Sequence, residues 1–351
     1  MNISNYFKEA IAKKASDLHL VANSSPYLRI NGELIKIANK ILNPQELRES
    51  IYDILNPEVI KKFEKKKDLD FSYNFFGSRF RINIHYQKGD LGLTARLIPL
   101  VIPTPEELGF DKSFYKMSRM RDGLILVTGP TGSGKSTTLA SMVDIINQER
   151  KAHIITIEDP IEYIFKEKES LIEQRELGQD TDSFARALKY VLRQDPNVIM
   201  VGEMRDLETI SAALTAAETG HLVISTLHTG SAVETIGRIV DVFPDYRQPQ
   251  ILIQLASNLR VVISQQLLPK IDGGLVAARE IIVNTQAVSN LIRTSKVSQI
   301  YSAIQTGQKE GMITMNKDID RLVAAGLVDK AIAVNRKRDM ETKASYFEAN
   351  G

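Results

Sequence analysis

The stretch Gly129-Pro130-Thr131-Gly132-Ser133-Gly134-Lys135-Ser136 constrains this chain more than any other. It fits G-x-x-x-x-G-K-[ST], the phosphate loop, and each position carries a physical reason. The glycines let backbone N–H groups turn inward around the β- and γ-phosphates of a nucleotide. Lys135 brings a point charge to those phosphates, and Ser136 offers its hydroxyl to Mg²⁺. The helical stretch from about 134 to 148 aims its positive end at the same anion. Average residue usage produces the pattern by chance in roughly one chain of this length per hundred. A glycine-rich surface turn is the bland alternative. The apolar run Leu124–Thr128 before the loop and the helix after it are the context the motif requires, and they favour the nucleotide.

Around the loop the chain alternates short apolar runs with helical stretches, the texture of an α/β fold with a parallel sheet. The runs are Leu124–Thr128, His153–Ile157, Val198–Val201 and Leu222–Leu227. In such sheets ligands sit beyond the carboxyl ends of the strands. Three of these ends carry polar chemistry: Glu158-Asp159-Pro160-Ile161-Glu162, Gly202-Glu203 and His228. Glu203 is the first candidate for the base that orients or deprotonates an attacking water. Position 202 is Gly, where an aspartate commonly stands, so Mg²⁺ would depend on Ser136, the phosphates and water. His228 is a candidate contact to the γ-phosphate, against the alternative of a buried structural histidine, and His221 is a weaker candidate. The two histidines are too far apart on one strand to share a metal.

Residues 1–98 read as a small α+β unit with an early helix over about 3–16. Asn31-Gly32, between Tyr27–Ile30 and Glu33–Ile37, is a type I′ hairpin signal. Three strands are expected at 69–74, 79–86 and 91–97. In the second of these, Phe80, Ile82 and Ile84 alternate with Arg79, Arg81, Asn83 and His85, so one face is apolar and the other basic. Arg81, and Arg96 on the polar face of the next strand, are candidates to reach a γ-phosphate, as arginines do in phosphoryl transfer. An ordinary solvated basic face is the alternative, and Arg193 and Arg205 are further candidates. Pro99, Pro103 and Pro105 make a stiff connector. The expected divisions are a domain over 1–100, a linker over 101–106, an ATPase core over 107–285, and helices with a polar tail over 286–351.

Composition narrows the rest. Lys plus Arg is 45 against 43 for Asp plus Glu, a net charge of +2, which offers no general field for nucleic acid. There is no cysteine, which removes thiol catalysis, disulfides and thiolate metal sites. No apolar run approaches the about 20 residues of a membrane span. The expectation is a soluble cytoplasmic protein with at most a peripheral membrane role.

These motifs together resemble the secretion-superfamily ATPases of type IV pili, most closely the retraction branch. The loop continues into Thr137-Thr138-Leu139-Ala140. Thr156–Tyr163 is similar to the family's aspartate box, Leu192–Asp206 to its atypical Walker B, and Thr219–Thr229 to its histidine box. Ala15-Ser16-Asp17-Leu18-His19-Leu20 and Ser78–Asn83 also fit. The resemblance implies a RecA-like ATPase domain, a PAS-like N-terminal domain, and a homo-hexamer that hydrolyses ATP with Mg²⁺ to drive pilus retraction and twitching motility. It implies nucleotide bound by Gly129, Pro130, Thr131, Gly132, Ser133, Gly134, Lys135, Ser136 and Thr137, between the two domains. Catalytic roles carry over to Glu203, Glu158, His228, Arg81 and Arg96. The implied partners are an inner-membrane pilus platform protein and a paralogous accessory ATPase, with no nucleic acid. The sequence departs from the family at Ser289, where the retraction signature has Arg, and at Gly230 and Glu234. A pilus assembly or type II secretion ATPase, and a non-catalytic ATP-binding ring subunit, are the alternative readings. The assembly relatives usually carry a longer N-terminus and a four-cysteine metal module, and turnover by the purified chain alone discriminates against the second.

Overall fold

The alternation of Phe80, Ile82 and Ile84 with polar neighbours produces a sheet with one dry face. In the computed structural model, which describes residues 3–30, 32–98 and 101–337, these three side chains are fully buried. The chain divides by internal contacts into two units, Met1–Val101 with Glu162–Ile164, and Ile102–Ile161 with Phe165–Gly351. Pro99, Asn31 and the polar tail from 338 lie outside the described residues.

The first unit holds β1 (Asp17–Val21), β2 (Tyr27–Ile30), β3 (Glu33–Lys36), β4 (Asp68–Phe75), β5 (Ser78–Gln87) and β6 (Asp90–Ile98). They form an antiparallel sheet in the order β3-β2-β1-β6-β5-β4. The β2–β3 hairpin closes Ile30 onto Glu33, with Gly32 at φ +86°, as a two-residue turn demands. Phe7 of the helix Ile3–Ala12 packs edge-on against Phe80 at 4.8 Å and joins the core with Leu18, Leu20, Leu93 and Ala95. That helix ends four residues earlier than expected, because Lys14 takes a left-handed conformation at φ +50° and turns the chain into β1. Asn43-Pro44 and Asn56-Pro57 start the helices Pro44–Tyr52 and Pro57–Lys66. In each, the asparagine side chain accepts backbone N–H bonds that the first turn cannot satisfy.

The second unit is built on β7 (Gly123–Thr128), β8 (His153–Glu158), β9 (Leu171–Glu176), β10 (Val198–Val201), β11 (Leu222–Leu227), β12 (Leu259–Pro269) and β13 (Leu275–Val283). The order is β13-β12-β7-β11-β10-β8-β9, parallel except for β13. Helices pack on the sheet over a core that includes Leu124, Leu126, Ile155, Ile199 and Val223. Every residue of β7, β10 and β11 is buried. This explains why these strands read as mostly apolar runs rather than alternating ones. β9, β12 and β13 were not among the expected strands. No helix among the described residues is long and apolar enough to cross a membrane.

Candidate active site

Four adjacent strands, in the order β8-β10-β11-β7, deliver the expected chemistry to one edge. Thr128, which ends β7, pairs with Leu227 of β11. Ser225 of β11 pairs with Val201, which ends β10, and Val201 pairs with Ile157 of β8. The phosphate loop, His228, Glu203 and Glu158 therefore emerge side by side at the carboxyl edge. A cleft of about 410 Å³ opens there, lined by Thr131, Met204, Arg205, Leu227, His228 and Arg238 among others.

Within the loop, Gly129, Gly132 and Gly134 have φ of +144°, +77° and +84°, values that L side chains rarely adopt. A Cβ on Gly129 would meet the Gln265 carbonyl oxygen at 2.2 Å and Ser133 Oγ at 2.6 Å. Lys135 is almost fully buried, and its Nζ donates to the carbonyls of Gly129 (2.9 Å) and Pro130 (3.0 Å). Gly134 precedes the helix Lys135–Glu149 without a side-chain cap, so the first-turn N–H groups meet no capping side chain. Ser133 Oγ is buried with no hydrogen-bond partner. A hollow of backbone donors, one ammonium and an orphaned hydroxyl suits phosphate oxygens. Ser136 stands beside Lys135 with the hydroxyl a Mg²⁺ ion needs. Among the described residues no cluster of three His, Asp or Glu could hold a metal.

Glu203 has both carboxylate oxygens engaged. Arg205 Nε lies 2.7 Å from Oε1, and His228 Nε2 lies 3.3 Å from Oε2. His228 thus meets the candidate base directly and is half-exposed rather than a core histidine. Glu158 is buried, and it is the last residue of β8 rather than the first beyond it. Its Oε1 accepts from Thr156 Oγ1 at 2.6 Å and from Gln174 Nε2 at 3.1 Å. Gln174 belongs to β9, one of the strands not expected from sequence. His221 falls at the other end of β11, bonded to the Ala216 carbonyl and Thr219 Oγ1. This removes it from the site.

In the first unit, Arg29, Asp17, Arg96 and Arg81 occupy one row across β2, β1, β6 and β5. Arg96 Nε donates to Asp17 Oδ1 at 2.8 Å, and Arg29 Nε lies 3.9 Å from Asp17 Oδ2. Burial works against the Asp17 charge, but hydrogen bonds from Arg96 and Ser16, with the charges of Arg96 and His19, hold its carboxyl below the usual range. Asp17 therefore fixes Arg96, while the Arg81 and Arg96 side chains stay largely in solvent.

The departures noted in the sequence have local partners. Ser289 Oγ donates to the Ala256 carbonyl at 2.7 Å, capping the last turn of the helix Gln248–Asn258 with Asn284, whose Nδ2 reaches the same oxygen at 3.0 Å. Glu234 Oε2 accepts from the Gly230 N–H at 3.0 Å, and Ser231 Oγ accepts from the Glu234 N–H, a variant of the capping box.

Residues 109–346 match the model of the type II/IV secretion system protein family. The chain is 49% identical to the type IV pilus retraction ATPase PilT of Pseudomonas aeruginosa, over 94% of this chain and 96% of that one. It is 45% identical to a twitching motility protein of Neisseria gonorrhoeae, covering 92% and 87%. The crystal structure of the pilus retraction motor PilT with bound ADP superposes with a TM-score of 0.91 at 46% identity, covering 97% of this chain and 98% of that one. The chain belongs to the type II/IV secretion system protein family, on the side of that family that includes the pilus retraction ATPases.

Proposed function

We propose that this chain is an ATP-hydrolysing motor that drives type IV pilus retraction. The observation that carries the reading is the alignment of Glu158, Glu203, His228 and the phosphate loop at the ends of four neighbouring parallel strands. Its family membership fits the same activity.

The loop from Gly129 to Thr137 holds the phosphates by backbone N–H groups and the Lys135 ammonium. Mg²⁺, taken by the Ser136 hydroxyl, would neutralise charge on the β- and γ-phosphate oxygens. Glu203 orients the attacking water and takes its proton. His228 and Arg205 keep that carboxylate aligned from either side, and Glu158 supplies a second, buried carboxylate at the next strand end. Arg81 and Arg96 stabilise charge developing on the γ-phosphate, from the first unit of the same or a neighbouring chain. The working form is a homo-hexamer on the cytoplasmic side of the inner membrane. It does its mechanical work on the pilus platform protein, with a paralogous ATPase as a second partner.

Replacing Glu203 with Gln keeps the shape and removes the base. The purified Glu203→Gln protein should bind ATP as the wild type does, with turnover lower by about 10²-fold or more. Unchanged turnover would take Glu203 out of the role.

A further inference from the structure

Gln265 sits on β12, one residue beyond Ser264, which pairs with Thr128 at the mouth of the phosphate loop. It is 1% exposed, and its amide is spent on the nucleotide element. Nε2 donates to the Ser133 carbonyl at 2.7 Å, and Oε1 accepts from Thr138 Oγ1, in the first helical turn, at 3.0 Å. Its backbone carbonyl fills the space a Cβ on Gly129 would need, and its Nε2 stands 3.3 Å from the Cβ position of Gly134. One residue thus touches the loop at its entry, its exit and the helix it feeds.

The consequence is a fixed peptide plane. In a trans peptide the C=O of Ser133 and the N–H of Gly134 point in opposite directions. With the carbonyl held by Gln265, the Gly134 N–H is directed away from β12. Gly134 has no side chain to hold this orientation, and Ser133 Oγ bonds to nothing. The hydrogen bond from Gln265 on β12 holds this plane.

We propose that Gln265 is a positioning residue for nucleotide binding, holding the 133–134 peptide so that the loop presents its N–H groups to phosphate before the nucleotide arrives. The inference rests on the nucleotide-site reading above. Both polar atoms of the Gln265 side chain are spent on the loop and the first helical turn. It works through the loop, so its loss weakens binding of substrate and product alike.

The test uses the full-length chain, with ADP and ATP as probes. Gln265→Met keeps the length of the side chain and removes both hydrogen bonds. The Kd for ADP and the KM for ATP should each rise about tenfold, about 1.4 kcal/mol, with kcat within about twofold, the signature of lost uniform binding. A merely structural role would lower the active fraction instead, reducing kcat at unchanged KM, and that result overturns the proposal. Should Gln265→Met fail to fold, Gln265→Glu serves. It keeps an acceptor for Thr138 and loses the donor to Ser133, so it must show the same rise in KM, and wild-type KM there would overturn the proposal. Lys135→Ala separates the two readings. If it abolishes ADP binding while Gln265→Met binds normally, the site stands and the role of Gln265 falls. If the wild type binds no ADP, both fall.

Discussion

Glu64 shows how much one carboxylate organises in the first unit. It ends a cluster with the hydroxyls of Tyr52 and Tyr86 and the cations of Arg48 and Lys67. The hydrogen bond from Tyr52, then that from Lys67, outweigh desolvation and hold the Glu64 carboxyl down at about 2. A lowered folded-state pKa stabilises the fold above the unfolded value of about 4.3, and the contribution disappears as pH falls through about 2. Glu64→Gln should therefore lower the urea midpoint at about pH 6, and the gap from wild type should narrow towards about pH 2. A gap that does not depend on pH would contradict the ionised cluster. None of this was legible in sequence, since Glu64 lies in a lysine-rich helix that reads as a solvated face. Asp17 was similarly hidden. It was visible only as part of a motif, and its hold on Arg96 depends on the β1–β6 register. Gln265 is the strongest case, because a buried amide leaves no periodicity and no charge to read.

The elements were legible in proportion to how sharply the chain punctuates them. β7, β10 and β11 are central, buried and mostly apolar, and each gives way to a polar residue or a glycine, so both the strands and their chemistry could be read. β9 is an edge strand, Leu-Ile-Glu-Gln-Arg-Glu, half of it charged, and it carries no apolar run. β12 follows the helix Gln248–Asn258 with no intervening turn, so nothing marks where it begins. Yet β12 braces the phosphate loop through Gln265, and Leu268 of β12 and Ala278 of β13 pack against Met315, Ile319 and Leu322. β13 also anchors the start of the second unit. The Arg279 guanidinium lies 3.6 Å over the Phe110 ring, and its Nη2 donates to the Leu108 carbonyl at 2.6 Å. Burial pushes the Arg279 pKa down to about 10, against the pull of Asp318, so the cation keeps its charge at neutral pH. Arg279→Met removes the clamp and leaves Asp318 less compensated. A loss of about 1–3 kcal/mol is expected from the lost hydrogen bond and ring contact, seen as a fall of several degrees in Tm. A Tm within about one degree of wild type would show that the clamp does not hold this segment.

At the scale of the whole molecule, the strands change character along the chain, antiparallel in the first unit and parallel apart from β13 in the second. The change from alternating antiparallel strands to buried parallel ones, across a proline-rich connector, follows from burial on one face and then on two. Ser289 caps the helix Gln248–Asn258 alongside Asn284, both donating to the Ala256 carbonyl. On this reading, ATP hydrolysed at the phosphate loop pulls pili in. The direct measurement is complementation of a strain that assembles type IV pili and cannot retract them. The wild-type chain should restore retraction and surface motility, and Lys135→Ala, expressed to the same level, should restore neither. Restoration by Lys135→Ala, or failure of a wild-type chain that hydrolyses ATP in the same cells, would contradict the account.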